Sequence, residues 1–454
     1  MKLSFYGGVG EATGANYILE SGGTRIMVDC GLHQGNHYAE TQNFEPFPYD
    51  AKSITAVFIT HSHLDHIGRL PSLYRAGFKG TIYSTGATKD FAELMLIDSE
   101  HLLAQEAERE HKPPLYTAED IMDVRHLWQG LRYHEPVTVG PFTAELFDAG
   151  HILGSAIIRI KAEGKTIVFS GDLGNFPAPI IQQTEFIDAA DYCVIESTYG
   201  DRVHADVDKR REELEDAVED TVKSGGTLMI PTFAMERTQE LLYHLHQLFE
   251  EGRIPHVPVF IDSPLAIKLT AVYKKYESYF NQQTANIAKT GEDILNFPGL
   301  RLTLTTEQSK EINGVLPPKI VIAGSGMSNG GRILHHEQRY LPDPKSAIIF
   351  VGYQAQGSMG RQILDGAKEV RIFGETVPVR CKVMNIPGYS AHADQPRLLE
   401  WLEHMRKTLK KVFVVQGEQQ SSEVLAGKII DEMTILAEVP KPKETVELWS
   451  RQMW

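Results

Sequence analysis

Four side chains able to bind a divalent ion crowd into six residues, His61-Ser62-His63-Leu64-Asp65-His66, directly after the apolar run Ala56-Val57-Phe58-Ile59-Thr60. Imidazole nitrogens and carboxylate oxygens suit Zn²⁺ and related ions, and a turn at a strand end can aim several of them at one point. A loop whose histidines merely cap or hydrogen-bond has little use for such crowding of titratable groups. Two further candidates follow at strand ends, His151 in Asp148-Ala149-Gly150-His151 and Asp172 in Phe169-Ser170-Gly171-Asp172. Singly, each is an ordinary turn residue. Together with the cluster they supply three histidines to one ion, and two carboxylates plus a histidine to another, the ligand count of a two-metal hydrolase with a bridging carboxylate. Asp29, after Arg25-Ile26-Met27-Val28, can orient a ligand histidine from behind.

The surrounding pattern is that of a layered α/β protein. Short strands are expected at 2–6, 16–20, 24–28, 56–60 and 81–84, joined by Gly-rich turns. Helical spacing predicts a helix over 89–111, with Phe91, Leu94, Met95, Leu102 and Leu103 on its apolar stripe, and a second over 118–130. Strands return at 143–147, 157–161, 166–170 and 192–196, closing a first block at residues 1–198. Across 199–368 helices and strands alternate, starting with a helix over 208–223 and reaching a strand over 347–353, which indicates an inserted parallel α/β unit. In 369–454 the first sheet system is expected to resume with paired strands 369–373 and 378–385, a helix over 395–404, a last strand over 411–416 and a tail linker at 440–443.

Forty-five Lys and Arg stand against 60 Asp and Glu, a formal net charge of −15, so a generally basic nucleic-acid grip is not expected. Cys30, Cys193 and Cys381 lie far apart and suggest neither a disulfide framework nor a thiolate metal site. With no apolar run long enough to span a bilayer and no basic-then-apolar start, the chain is expected to be cytoplasmic, with no membrane partner.

The H-x-H-x-D-H motif, with Asp29 before it and His151 and Asp172 after it, resembles the metallo-β-lactamase superfamily. Its members share an αββα sandwich with a dinuclear metal site on one edge and act on varied substrates. The long insert narrows the resemblance to the β-CASP nucleases. Glu196-Ser197-Thr198-Tyr199-Gly200 is similar to their first extra motif and Ser390-Ala391-His392-Ala393-Asp394 to their second. Pro231-Thr232-Phe233-Ala234, Arg237-Thr238-Gln239-Glu240, Asp262-Ser263-Pro264-Leu265-Ala266, Gly324-Ser325-Gly326-Met327 and Gly330-Gly331-Arg332 follow the same pattern. The fold implied is an αββα metallo-β-lactamase sandwich with an inserted α/β β-CASP domain.

By that resemblance His61, His63, His151 and Asp172 hold one Zn²⁺, while Asp65, His66 and Asp172 hold a second. A hydroxide between the metals attacks phosphorus, and His392, held by Glu196, protonates the leaving oxygen. The family's third extra motif ends a strand with His-Gly-Glu, and here the segment reads Gln416-Gly417-Glu418. An amide oxygen is a weaker zinc ligand than imidazole, so the second ion is expected to bind loosely or to exchange for a harder ion such as Mn²⁺. Alternatively, Gln416 hydrogen-bonds a metal-bound water. Arg237 and Arg332, at expected helix starts, and Ser325 and Gly326, in a Gly-rich turn, are candidates to contact RNA phosphates. Glu236 is expected to weaken such a contact by repulsion. A single-stranded RNA fits the acidic chain better than a long duplex, because metal charge and local arginines focus field into a groove.

The activity implied is a zinc-dependent ribonuclease, as in the prokaryotic relatives of the endonuclease subunit of the cleavage and polyadenylation specificity factor. The sequence carries neither the extra carboxy-terminal domain usual in RNase J nor amino-terminal KH modules, which favours an endonuclease over a 5′-exonuclease. Homodimers are common among such relatives. The alternative, from Gln416, is a catalytically impaired RNA-binding or assembly subunit. A lactonase or thioesterase is disfavoured by an insert that would cover the metal edge.

Overall fold

Successive side chains of a strand point to opposite faces, and burial follows that alternation. In the strand Ile54–Phe58, Ala56 and Phe58 join one apolar cluster while Val57 joins another. In Lys411–Val415, Phe413 and Val415 face the first cluster and Val412 and Val414 a third. The computed structural model describes residues 1–35, 37–204, 209–352 and 354–448. They divide into two compact units, Met1–Phe176 with Gln182–Val203 and His392–Trp454, and Pro177–Ile181 with His204–Ala391.

The first unit contains two seven-stranded sheets. One runs Thr445–Glu447, Lys2–Gly7, Asn16–Ser21, Thr24–Val28, Ile54–Phe58, Thr81–Thr85, Trp128–Leu131. The other runs Leu436–Glu438, Lys411–Val415, Tyr192–Glu196, Lys165–Phe169, Ala156–Ala162, Phe142–Asp148, Val137–Val139. Between them lies a cluster drawn from both, including Phe5, Tyr17, Phe58, Phe142, Ile158, Phe169 and Phe413. The outer face of the first sheet is covered by Ile67, Leu70, Leu73, Ala92, Leu96, Ile121 and Val124, all from helical segments. That of the second is covered by Leu398, Trp401 and Leu425 from the helices Gln395–Glu403 and Gln419–Lys428. Helix, sheet, sheet, helix is the αββα sandwich, because each sheet buries one face on the other and one under helices.

The second unit carries a six-stranded sheet, all of whose pairings are parallel, in the order Leu300–Leu302, Val259–Asp262, Lys319–Ala323, Thr227–Pro231, Ala347–Phe350, Lys382–Asn385. Its central strands are buried end to end, as Lys-Ile-Val-Ile-Ala and Ala-Ile-Ile-Phe illustrate. Parallel strands covered on both faces read as near-continuous apolar runs, and the buried Lys319 ammonium is satisfied by the Ile312 and Val315 carbonyls.

Several elements differ from expectation. The helix expected over 118–130 is Ala118–His126, and Trp128–Leu131 is an edge strand paired parallel with Thr81–Thr85. Parallel pairing, with the Trp128 indole N–H donating to Ser84 Oγ at 2.8 Å, overrides the local helical pattern. Strands at 137–139, 436–438 and 445–447 are three residues each, too short for a period to mark them, and were not expected. Glu369–Ile372 pairs with Glu375–Pro378 as a separate hairpin, and Lys382–Asn385 extends the parallel sheet, so residues through Ala391 pack with the second unit rather than with the sandwich. The helix over 208–223 is observed as Arg210–Ser224; position 208 and position 353, the far end of another expected strand, lie outside the described residues. No helix among the described residues is long and apolar enough to cross a membrane.

Candidate metal centre and proton donor

Every candidate ligand of the first unit follows the carboxyl end of a strand. Asp29 follows Thr24–Val28 and His61 follows Ile54–Phe58, with His63 capping the short helix Leu64–Ile67 that carries Asp65 and His66. His151, Asp172 and Gln416 follow strands of the other sheet, and Glu196 ends one. The strand ends approach closely because two glycines clear the way. A Cβ on Gly171 would lie 2.7 Å from Thr60 Cβ at a φ of +54°, and one on Gly174 would lie 1.8 Å from the Gly150 carbonyl oxygen.

His61 Nε2 lies 3.0 Å from His63 Nδ1, and His151 Nε2 lies 3.3 Å from the same atom. Asp172 Oδ2 is 3.4 Å from His61 Nε2 and 3.6 Å from His151 Nε2. All four donor atoms fall within 4.8 Å of one another. Burial first, then neighbouring histidines, hold His63 and His151 well below the usual imidazole range, so both rings are neutral and carry a lone pair. Burial opposes charge on Asp172, but His66 and His61 outweigh it and keep the carboxyl ionised. Three imidazoles and one carboxylate converging on one point is a donor set that fits a tetrahedral divalent ion.

Asp172 Oδ1 faces the other way, 3.4 Å from His66 Nε2, and Asp65 Oδ2 is 3.7 Å from that nitrogen. Asp29 stands behind His66: its Oδ2 is 2.8 Å from His66 Nδ1. Asp29 is itself fixed by the Thr60 N–H and Thr60 hydroxyl, each donating at 2.8 Å. Thr60 was not singled out in the sequence, where it reads only as the end of a strand. Burial disfavours charge on His66, yet Asp172, Asp29 and Asp65 outweigh it and raise its pKa well above the ordinary value. This pole therefore draws positive charge.

Gln416 does not present a ligand oxygen to that pole. Its amide nitrogen lies 2.8 Å from His66 Nε2 and donates to Asp172 Oδ1 at 3.2 Å. A carboxylate is acceptor-only, which selects the N–H side of the amide.

On the opposite side His392 Nδ1 is 3.2 Å from Glu196 Oε2 and 3.8 Å from Asp172 Oδ2. Glu196 is fully buried, and its other oxygen accepts from the Leu173 N–H at 2.5 Å. Ser170 Oγ accepts the Glu196 N–H at 3.0 Å. Leu173 and Ser170 are positioning groups that residue type alone could not reveal, since main-chain contacts leave no signature.

In the second unit the residues expected to contact phosphate make internal hydrogen bonds. Arg332 Nη1 donates to Asp262 Oδ1 at 2.8 Å and to the Thr303 carbonyl at 3.0 Å, and Nη2 donates to the Leu304 carbonyl at 3.1 Å. Arg237 is nearly buried, with Nη1 3.4 Å from Glu240 Oε2. Ser325 Oγ accepts the Asn329 N–H at 3.1 Å, and the Gly326 carbonyl accepts from Gln354 Nε2 at 2.9 Å. The Gly-rich turn closes on itself, and glycine at 326 is required because a Cβ would lie 2.8 Å from the Phe233 ring.

Glu236 is likewise no surface charge beside a phosphate. It is buried and accepts the Tyr273 hydroxyl. Burial and then Glu240 push its carboxyl from 4.5 up to about 8. A carboxyl with a raised folded pKa stabilises the fold fully below its unfolded pKa and loses that contribution as pH climbs toward its folded one, here between 4.5 and about 8. Glu236→Gln keeps an acceptor for Tyr273 and removes the ionisation cost, so it should be stabilised by on the order of 1–3 kcal/mol at alkaline pH, the gain shrinking toward pH ~5. Parallel melting curves at pH ~8.5 and ~5 check this, and equal differences at both would contradict it.

A double-sheet sandwich whose strand ends gather histidines and aspartates around one edge defines the metallo-β-lactamase class of metal-binding proteins. Comparison with known sequences places the chain further. Residues 9–223 match the metallo-beta-lactamase superfamily, 238–363 the Beta-Casp domain, and 376–440 a Zn-dependent metallo-hydrolase RNA specificity domain. The ribonuclease TTHA0252 of Thermus thermophilus is 38% identical over 95% of this chain and 96% of its own length. An RNase J-like protein of Methanocaldococcus jannaschii is 32% identical over 96% and 97%, and the transcription termination factor FttA of the same organism 31% identical over 92% and 67%. A solved structure from Enterococcus faecalis V583, of a protein described as of unknown function, matches at a TM-score of 0.58 and 13% identity over 98% of this chain and 99% of that one, a likeness of fold alone. The chain belongs to the β-CASP family of the metallo-β-lactamase superfamily.

Proposed function

We propose that the chain is a metal-dependent ribonuclease that hydrolyses phosphodiester bonds within single-stranded RNA, holding two zinc ions and using His392 as general acid. The observation that carries the proposal is the His392–Glu196 pair, 3.2 Å apart, set 3.8 Å from the same Asp172 that closes the three-histidine cluster. A proton donor beside a metal-ligand set is what hydrolysis of a poor leaving group requires. The kinship with the Thermus ribonuclease and the match to an RNA specificity domain support RNA as the substrate.

His61, His63, His151 and Asp172 would hold one ion, and Asp65, His66 and Asp172 the other. Bound divalent ions supply Lewis acidity toward a phosphoryl oxygen and lower the pKa of water. Glu196 accepts the Nδ1 proton of His392 and favours the imidazolium, which leaves Nε2–H to be given to the departing oxygen. Asp29 and Thr60 keep the Nδ1 proton of His66 on the far side of the ring, so its Nε2 faces Asp172. With a net charge of −15 the surface itself repels a polyanion, so attraction has to be local to the site.

Gln416 favours one rival, an RNA-binding or assembly subunit with impaired chemistry. Incubating the protein with single-stranded RNA or with a small ester, in zinc and then in excess chelator, separates the readings. Zinc-dependent loss of RNA with the ester untouched is expected. Ester hydrolysis without RNA cleavage would overturn the substrate, and RNA bound but uncut in zinc would favour the subunit.

A further inference from the structure

The two oxygens of Asp172 look at two different poles. Oδ2 faces His61 and His151, whereas Oδ1 faces His66 and the amide nitrogen of Gln416. Gln416 is pinned from its backbone. Its N–H donates to the Gly8 carbonyl at 2.7 Å, and its carbonyl accepts from the Ser197 N–H at 3.3 Å and the Thr198 hydroxyl at 3.2 Å. Its φ of +48° lies in the left-handed region, which a non-glycine residue adopts only where surrounding contacts hold it. The side chain, 2% exposed, is directed into the site.

We propose that Gln416 is a metal-affinity residue that closes the second pole: its amide nitrogen lies against His66 Nε2 and donates to Asp172 Oδ1, the two atoms a second ion would need. This rests on the metal assignment above and deepens it. An amide carries no net charge, so it fills the space beside both atoms without repelling a cation. A divalent ion can displace it, but only by breaking both hydrogen bonds. The chain then takes up one ion tightly and a second weakly, with the second pole sensitive to which ion is supplied and at what concentration.

A competing amide and a ligating amide predict opposite results on truncation. Removing a competitor strengthens the second ion, whereas removing a ligand weakens it. Gln416→Ala deletes the amide. Gln416→Asn withdraws it by one methylene while keeping a residue well suited to positive φ. Equilibrium dialysis of the full chain and both variants against Zn²⁺, and separately Mn²⁺, with metal counted per chain and no RNA present, reads the two affinities directly. Retention of the first ion reports that each variant is folded.

The expected result is one tightly held ion in all three proteins and a second that binds about tenfold or more tighter in the variants, the scale of two ordinary hydrogen bonds lost. Gln416→His, which adds an imidazole, should tighten it further. Two ions of equal affinity in the unaltered protein overturn the proposal. So does a second ion that is weaker or unchanged in Gln416→Ala, or in Gln416→Asn should the alanine variant fail to keep its first ion. Because no RNA is involved, this affinity pattern in a protein that does not cut RNA sinks the nuclease proposal and leaves this one standing, and cleavage with two equal ions does the reverse.

Discussion

His63→Ala is expected to lose tightly bound metal and RNA cleavage in one step. His63 Nδ1 sits within 3.3 Å of the Nε2 atoms of both His61 and His151, so it is the corner shared by the three-imidazole set. Deleting it leaves two histidines and Asp172, and the two remaining rings lie on strand ends that cannot move together to compensate. Groups that merely orient ligands are worth roughly 10–100-fold in affinity or activity, and a direct ligand is expected to exceed that, so cleavage should fall by at least about a hundredfold. Metal content and cleavage measured on the same preparation check this. A fully loaded, active variant would remove His63 from the site.

His392→Ala should separate what His63→Ala joins. His392 is partly exposed, belongs to a different cluster from the three metal-site histidines, and contacts Glu196 and Asp172 from one side. Its loss should leave the first ion in place and slow cleavage by roughly 10²–10⁴-fold, the usual worth of a positioned proton donor. A substrate with sulfur in place of the leaving oxygen departs without protonation. It should be cut by the variant nearly as fast as by the unaltered protein. A variant as slow on the sulfur substrate as on ordinary RNA would point to a role other than proton donation, and unchanged cleavage of ordinary RNA would exclude His392 altogether.

Much of this was readable from residue order. Four ligand-capable side chains in six residues after an apolar strand have few other uses, and the apolar runs before them place His151, Asp172 and Glu196 at strand ends. What stayed hidden depended on partners distant in sequence. Trp128–Leu131 reads as the tail of a helix until Thr81–Thr85 offers it a parallel edge. Arg332 reads as a free cation until Asp262, 70 positions earlier, is seen to bind it. Glu236 reads as a charge that repels a phosphate until its carboxyl is found buried and accepting the Tyr273 hydroxyl. Gln416 was identifiable as a departure from a motif, but which end of its amide faces Asp172 is set by an acceptor-only neighbour that residue order does not reveal.

Cleavage within a strand at this sandwich edge is read from a single-stranded RNA that carries an internal label and a blocked 5′ end. It is incubated with zinc or manganese while metal per chain is counted. Internal fragments that appear only with metal, and disappear in His392→Ala, are the predicted result. Intact RNA in the presence of a metal-loaded protein, or release of mononucleotides only from an unblocked 5′ end, would contradict it.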